Sequence, residues 1–236
     1  MKSAYGDYFD GIRAMLPLLP GAVPFGMIAG AVAAEAGFGT AAGIGQSVVI
    51  YAGAAQLAAT QLVAVAAPAL IIVLTGLVVN LRFAMYSASL ASHFTGLSLR
   101  HRALLAYLMT DQSYALTVAR YGAAGSADSA AKARFYLGGA VAMWIVWLSA
   151  TAAGFLLGSR VPPSWSLDFF VPLSFLALLV PGIRDRATAA AAATGAAVAV
   201  IAAGLVFNLG LFVAAACGIA AGYLVETRYA ARGERK

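Results

Sequence analysis

Arginine and asparagine side chains stand at the centre of an apolar run that is long enough to cross a bilayer. Residues 69–94 read ALIIVLTGLVVNLRFAMYSASLASHF, with Asn80 and Arg82 in the middle and Phe83 beside the arginine. A spanning helix needs about 20 predominantly apolar residues. Ionisable groups at that depth are costly, face a protein interior or an aqueous cavity, and mark substrate or ion pathways. Arg82 therefore calls for a counter-charge, and the candidate is Asp111 in LMTDQSYAL, at the middle of the apolar segment 103–121. A hairpin turning near residue 98 would leave the two mismatched by about 4.5 Å along the helix axes, which an arginine side chain can bridge. Two roles stay open for the pair. It is either a permanent staple that lowers the cost of both charges, or a pair that opens and shares its charges with a zwitterionic substrate.

Broken backbone is the second candidate source of chemistry. Pro17, Pro20-Gly21 and Pro24-Phe25-Gly26 interrupt the first apolar segment. Proline removes a backbone donor and clashes with the preceding turn, so kinks or helix breaks are expected at these positions, Pro24 and Gly26 among them. A further break is expected at the Gly53-Ala-Ala-Gln56 stretch, which follows Tyr51. Irregular backbone at membrane depth is tolerated only inside protein or against a wet cavity. Exposed helix N-termini there attract carboxylates, and freed carbonyls attract cations. Glycine and proline are also simply commoner in membrane helices, which is the plain alternative.

The elements that must position these residues are membrane helices. Hydrophobic residues make up 62% of the 236-residue chain, charged residues 10%, and the mean hydropathy is +0.87. A soluble domain carries about 25% charged residues. The net charge of +6 is spread over loops and the tail, so a nucleic-acid partner is not expected. The single cysteine, Cys217, has no intrachain partner, and no metal-ligand spacing, nucleophile elbow or nucleotide-binding signature is present. No cofactor and no enzyme activity are expected. A cleavable leader is not expected either, because 14–34 is too long and too rich in proline and glycine.

Eight apolar segments can be marked, at roughly 14–34, 44–66, 69–94, 103–121, 135–159, 169–181, 187–206 and 208–226. The expected fold is all-α and polytopic, a single membrane domain over 1–236 with six to eight membrane segments. The alanine tract 187–203 reads as close helix packing. Gly76-Leu-Val-Val-Asn80-Leu81 returns as Gly204-Leu-Val-Phe-Asn208-Leu209, an offset of 128 residues. That offset pairs halves of about 1–121 and 134–228, with Asn208 as a further candidate helix break. Segment 169–181 is too short to span, and 44–66 is interrupted, so both could be re-entrant. The shortness of 169–181 favours inverted over parallel halves. Eight full spans and six spans with two re-entrant segments place the termini in the cytoplasm alike, but they put the Ser98–Arg102 loop on opposite sides.

Several motifs, taken together, resemble the AzlC family of bacterial branched-chain amino acid exporters. They are Pro24-Phe25-Gly26, Tyr51-Ala-Gly-Ala-Ala-Gln56, Asn80-Leu-Arg82 with Tyr86 and Ser89-Leu90, Thr110-Asp111, and Leu178-Leu-Val-Pro181 with Asp185-Arg186. The resemblance runs from about Gly11 to Tyr223. It implies a multi-pass permease of the bacterial inner membrane, working with a small AzlD-like membrane subunit. It carries Arg82, Asn80, Gln56 and Asp111 over as candidate site residues. The sequence departs at Gln112, where an acidic residue often follows the Thr-Asp of the family, and this puts proton coupling there in question.

The reading that results is a secondary transporter exporting branched-chain or similar apolar amino acids, driven by an ion gradient. Arg82 or a broken-helix N-terminus would hold the carboxylate, and Asp111, Gln56 and backbone carbonyls the ammonium. Phe25, Tyr51 and Phe83 would line the aliphatic pocket. A passive channel and a non-transporting regulatory subunit are the alternatives.

Overall fold

The computed structural model describes residues 4–122, 128–158, 183, 185–205 and 209–233. Every regular element among them is helical. Packing divides the chain into two compact units, one of residues 1–61 and 76–167, the other of residues 62–75 and 168–236. Four helices among the described residues are long and apolar enough to cross a membrane: Tyr5–Glu35, Ala69–Phe94, Ser129–Gly158 and Leu209–Tyr229. The segment 169–181, the Leu178–Pro181 motif and Asn208 lie outside the described residues.

The first unit is built on two helical rods in close contact. One comprises α1 (Ala4–Met15), a 3₁₀ turn at Leu16–Leu18, and α2 (Leu19–Glu35). The break expected at Pro24–Gly26 is not there. Of the three proline positions, Pro17 is the one in an irregular turn, and α2 runs through Pro24. Gly26 serves close approach: a Cβ there would lie 2.9 Å from that of Ala150. The other rod is α9 (Ser129–Gly158), about 45 Å long. The contacts run in step along the two rods. Gly11 lies against Phe135, Gly26 against Ala150, Gly30 against Thr151, and Ala31 against Gly158. The rods are therefore parallel, with backbones brought together by small residues, as lipid-embedded helices prefer. Inverted halves would set the first and fifth apolar segments in opposite directions, and these two are not so arranged.

Segment 44–66 forms two short helices, α3 (Thr40–Val49) and α4 (Gly53–Ala64). Thr60 Oγ1 donates to Gln46 Oε1 at 3.1 Å across 14 residues of chain. A continuous helix would separate those residues by about 21 Å. The chain reverses at Tyr51, which takes φ +33°, a left-handed conformation that side chains other than glycine adopt rarely.

Segment 69–94 forms α5 (Ala69–Val79) and α6 (Leu81–Leu90), joined at Asn80 and finished by a 3₁₀ turn at Ala91–Phe94. Backbone bonds bridge the joint, from Asn80 N to Gly76 O and from Phe83 N to Asn80 O. The Asn80 side chain caps nothing.

The expected continuous segment 103–121 is instead a second pair of short helices, α7 (Leu99–Tyr107) and α8 (Asp111–Tyr121). Thr110 is extended and caps α8 through a reciprocal capping box with Ser113. That local bond competes with helix continuation and explains a break without proline or glycine.

In the second unit, α10 (Arg186–Ile201) and α11 (Leu209–Gly233) form an antiparallel pair. Gly210 meets Ala202, Gly218 meets Ala191, and Gly222 meets Ala187 and Ala191. The alanine tract thus packs closely, as its composition suggests. Asp185 caps α10 in a capping box with Thr188.

Candidate functional site

The pair inferred from sequence forms: Arg82 Nη1 lies 2.9 Å from Asp111 Oδ2. Tyr86, one turn along α6 from Arg82, donates its hydroxyl to Asp111 Oδ1 at 2.9 Å. Both carboxylate oxygens are thus engaged. Tyr86 stacks on Tyr114 with ring centroids 4.2 Å apart, and the Tyr114 hydroxyl reaches Ser89 Oγ at 3.2 Å. These contacts advance together along α6 and α8, so the two helices run parallel. The antiparallel hairpin turning near residue 98 is therefore not the geometry that pairs Arg82 with Asp111. α7 enters first, the chain turns at Leu108–Thr110, and α8 returns beside α6 with Asp111 at its first position.

Phe83 lies under the Arg82 guanidinium, 5.0 Å from carbon to ring centroid. Its role there is a cation–π face. Asn80 Oδ1 and Arg82 Nε are buried without a hydrogen-bond partner. The Arg82 and Asp111 side chains are 30% and 39% exposed on the chain itself.

A second cluster surrounds the Tyr51 turn. Gln56 is fully buried and donates to Ser47 Oγ at 2.9 Å, while Ser47 Oγ lies 3.2 Å from Gln56 Oε1. The Gln56 side chain thus pins α3 to α4. Phe25 meets Trp147 with centroids 5.5 Å apart, and both rings press on Gly53, the first residue of α4. The Tyr51 ring is 5.9 Å from that of Tyr107. The expected aromatic trio is therefore divided. Phe25 and Tyr51 belong to this cluster, and Phe83 to the ion pair.

The tip of the α7–α8 hairpin joins the two clusters. Tyr107 donates to Val48 O at 2.8 Å and accepts from Trp144 Nε1 at 3.1 Å, while Asp111, four residues on, holds Arg82. Leu105 O accepts from Tyr136, and Tyr107 meets Trp144, so α7 runs parallel to α9. Gly43 of α3 meets Phe155 and Gly53 meets Trp147, so α3 descends against α9 from its other end. The two hairpins thus enter from opposite ends of α9 and touch near residues 144–147, close to its midpoint. Sequence reasoning missed Tyr107, Trp147 and the hydroxyl role of Tyr86. The i, i+4 spacing of Arg82 with Tyr86 on α6 was the available signal.

Among the described residues no group of three or more His, Cys, Asp or Glu is placed to hold a metal ion. The model of the family described as "AzlC protein" matches residues 17–161, more than half of the chain.

The chain belongs to the AzlC family.

Two curated relatives extend across most of it. The chain is 29% identical over 190 residues to a protein of Archaeoglobus fulgidus named "Uncharacterized membrane protein", covering 79% of this chain and 80% of that one. It is 26% identical over 185 residues to "Inner membrane protein YgaZ" of Escherichia coli, covering 76% and 74%. No solved structure matches. The AzlC match includes both hairpins and the whole Arg82–Asp111 cluster.

Proposed function

We propose that this AzlC protein is a secondary permease that exports branched-chain or similar apolar amino acids across a bacterial inner membrane, with a small AzlD-like membrane subunit as partner. The observation that carries the reading is the meeting of two half-length helix hairpins near the midpoint of α9. Helices of 9 to 12 residues rise only about 14–18 Å, half of a hydrocarbon core of about 30 Å. Half-helices ending at mid-depth present dipole ends and free backbone groups to a small zwitterion, the arrangement that secondary transporters use. The Arg82–Asp111–Tyr86 cluster at the second tip supplies a charge pair that can open between conformations, and an ion gradient supplies the energy.

Orientation follows from charge. Arg100, Arg102, Arg120, Lys132 and Arg134 lie at the end of the first unit that holds the N-terminus, and residues 35–69 contain no Lys or Arg. The positive-inside rule puts the basic end in the cytoplasm. The relative named as an inner membrane protein agrees with that compartment.

The test is counterflow of labelled amino acids in proteoliposomes, with and without the small subunit. Saturable counterflow of leucine, isoleucine or valine is expected. Flux that rises linearly and never saturates would identify a passive channel, and no flux of any amino acid would remove the permease reading.

A further inference from the structure

The last two residues of α8 tie it to both rods at once. Arg120 Nη2 donates to Asp10 Oδ2 of α1 at 2.9 Å. Its guanidinium lies over the Phe135 ring of α9, 4.5 Å from carbon to centroid. The Tyr121 ring meets Phe135 edge-on, with centroids 5.6 Å apart. Inward of this latch the contact is of another kind. The residues that α8 buries are Ser113 and Thr117, 2% and 1% exposed. Their hydroxyls donate within the same stretch of chain, to Thr110 O at 3.1 Å and to Ser113 O at 2.8 Å. Toward α9, Ser113 reaches the Tyr136 hydroxyl only at 3.4 Å. A narrow cleft runs here between the three helices, lined by Gly11 and Met15 of α1, Ser113 and Thr117 of α8, and Tyr136 and Gly139 of α9. Helices in a membrane are held by close packing and by interhelical hydrogen bonds. A cleft whose hydroxyls turn to their own backbone offers little of either. The α1–α9 contact differs. Gly11 against Phe135 and Gly138 against Tyr8 bring those two backbones together, whereas α8 contains no glycine. A second ion pair at the same end, Arg134 to Asp7 at 2.8 Å, joins α1 to α9 and so fastens helices that already touch.

We infer that the Arg120–Asp10 pair, seated on Phe135, is a gate: its release lets α8 swing away from α1 and α9 about the turn at Leu108–Thr110, and opens the hydroxyl-lined cleft at the end of the first unit that holds the N-terminus. The inference rests on the permease reading for what passes, and goes beyond it in naming the part that moves. Asp111 begins the same helix, so the swing also tilts the carboxylate that holds Arg82. Opening at one end of α8 and rearrangement of the charge pair at the other are then one motion of a rod about 15 Å long. A part-exposed ion pair and a cation–π contact each contribute modestly, so the closed state is favoured without being locked.

The experiment uses the purified full chain in lipid nanodiscs, where reagent reaches both membrane faces. Thr117→Cys in a Cys217→Ala background should react slowly with N-ethylmaleimide. Adding Arg120→Ala should raise that rate about five- to tenfold, the combined scale of the ion pair and the cation–π contact. Asp10→Asn should raise it in the same direction and carries the test alone if Arg120→Ala does not fold. The exchange Asp10→Arg/Arg120→Asp should restore the slow rate. Arg134→Ala should leave it unchanged, because that pair spans helices already in backbone contact. A cysteine at Ala29, fully buried in α2, should stay slow in every background. An unchanged Thr117→Cys rate in Arg120→Ala and Asp10→Asn overturns the gate even where leucine counterflow persists. Equal acceleration by Arg134→Ala, or at Ala29→Cys, overturns it as well, since the whole bundle would then have loosened. The expected rates without counterflow of any amino acid leave the moving seam standing and remove the permease reading instead.

Discussion

At the scale of single residues, Asp111 is the hub. It accepts from Arg82 and Tyr86 with separate oxygens, so loss of either donor is felt at once. Arg82→Ala leaves the Asp111 carboxylate with one donor, and leucine counterflow should fall by at least about tenfold, the scale of a hydrogen bond to a charged group. Arg82→Lys keeps the charge but loses the planar fork, and should retain more activity. Tyr86→Phe keeps the stacking on Tyr114, removes one donor, and should reduce the rate by about fivefold. The double variant Arg82→Ala/Asp111→Asn separates the roles. If it recovers both expression and transport, the pair is a staple and no more. Unaltered half-saturation and rate in Arg82→Ala would remove Arg82 from the mechanism. The pair was legible in the sequence because charges in apolar runs are few and must find each other. An antiparallel hairpin near residue 98 is not what makes the pair, because the direction of α8 depends on a turn at Leu108–Thr110 that carries no proline or glycine. The engagement of Gln56 by Ser47 was illegible for a related cause: a contact across nine residues is unreadable until the turn at Tyr51 is known.

At the scale of elements, stability rests on small residues that let backbones meet. A side chain at Gly30 would collide with the Thr151 carbonyl and with Phe155, whereas one at Gly21 would meet nothing within 4 Å. Gly30→Leu should therefore destabilise the α2–α9 contact by about 1–3 kcal/mol or prevent folding, the usual cost of overpacking. Gly21→Ala should leave the unfolding temperature in detergent unchanged or slightly raised, since alanine is the better helix former. Equal tolerance of both changes would mean that α2 and α9 are not in backbone contact. In the second unit the Asp185 carboxylate is held below the ordinary range by hydrogen bonds from the Thr188 backbone and side chain. A depressed carboxylate stabilises the folded state above its unfolded value, near 3.9, and that contribution is lost as pH falls through the lower folded value. Asp185→Asn still caps but does not titrate, so its acid limb of stability should be flatter than that of the parent chain. Four long apolar helices and the alanine pair were legible from length and composition, whereas 44–66 and 103–121, read as apolar segments of the same kind, are each two short helices. The proline signal at Pro24 was not, because one missing intrahelical bond is tolerated where the helix is buried against a neighbour.

At the scale of the molecule, the arrangement around α9 bears on topology and on the proposed repeat. Gly11, Gly26, Gly30 and Gly76 recur at the 128-residue offset as Gly139, Gly154, Gly158 and Gly204. The first three pairs lie on the two parallel rods, where both members serve close contact. Two equivalent helices side by side and in step are what parallel repeats would place at their seam. Topology is open to a direct check. If α3–α4 is a hairpin, the chain returns after residue 64 to the side it left, crosses once through α5 and α6, and brings Ser98 to the side of the N-terminus. If segment 44–66 crossed the membrane, Ser98 would be on the other side. Ser98 and Thr40 are both exposed, and the only native cysteine is Cys217. In a Cys217→Ala background, a cysteine at Ser98 should react with a membrane-impermeant maleimide only after the inner membrane is opened. A cysteine at Thr40 should react in intact spheroplasts. The hairpin model requires opposite sides for the two positions, and it fails if both label from the same side. Reversal of both, with Ser98 labelled from outside and Thr40 from inside, would keep the hairpins and overturn the orientation, and with it the claim that the basic end faces the cytoplasm.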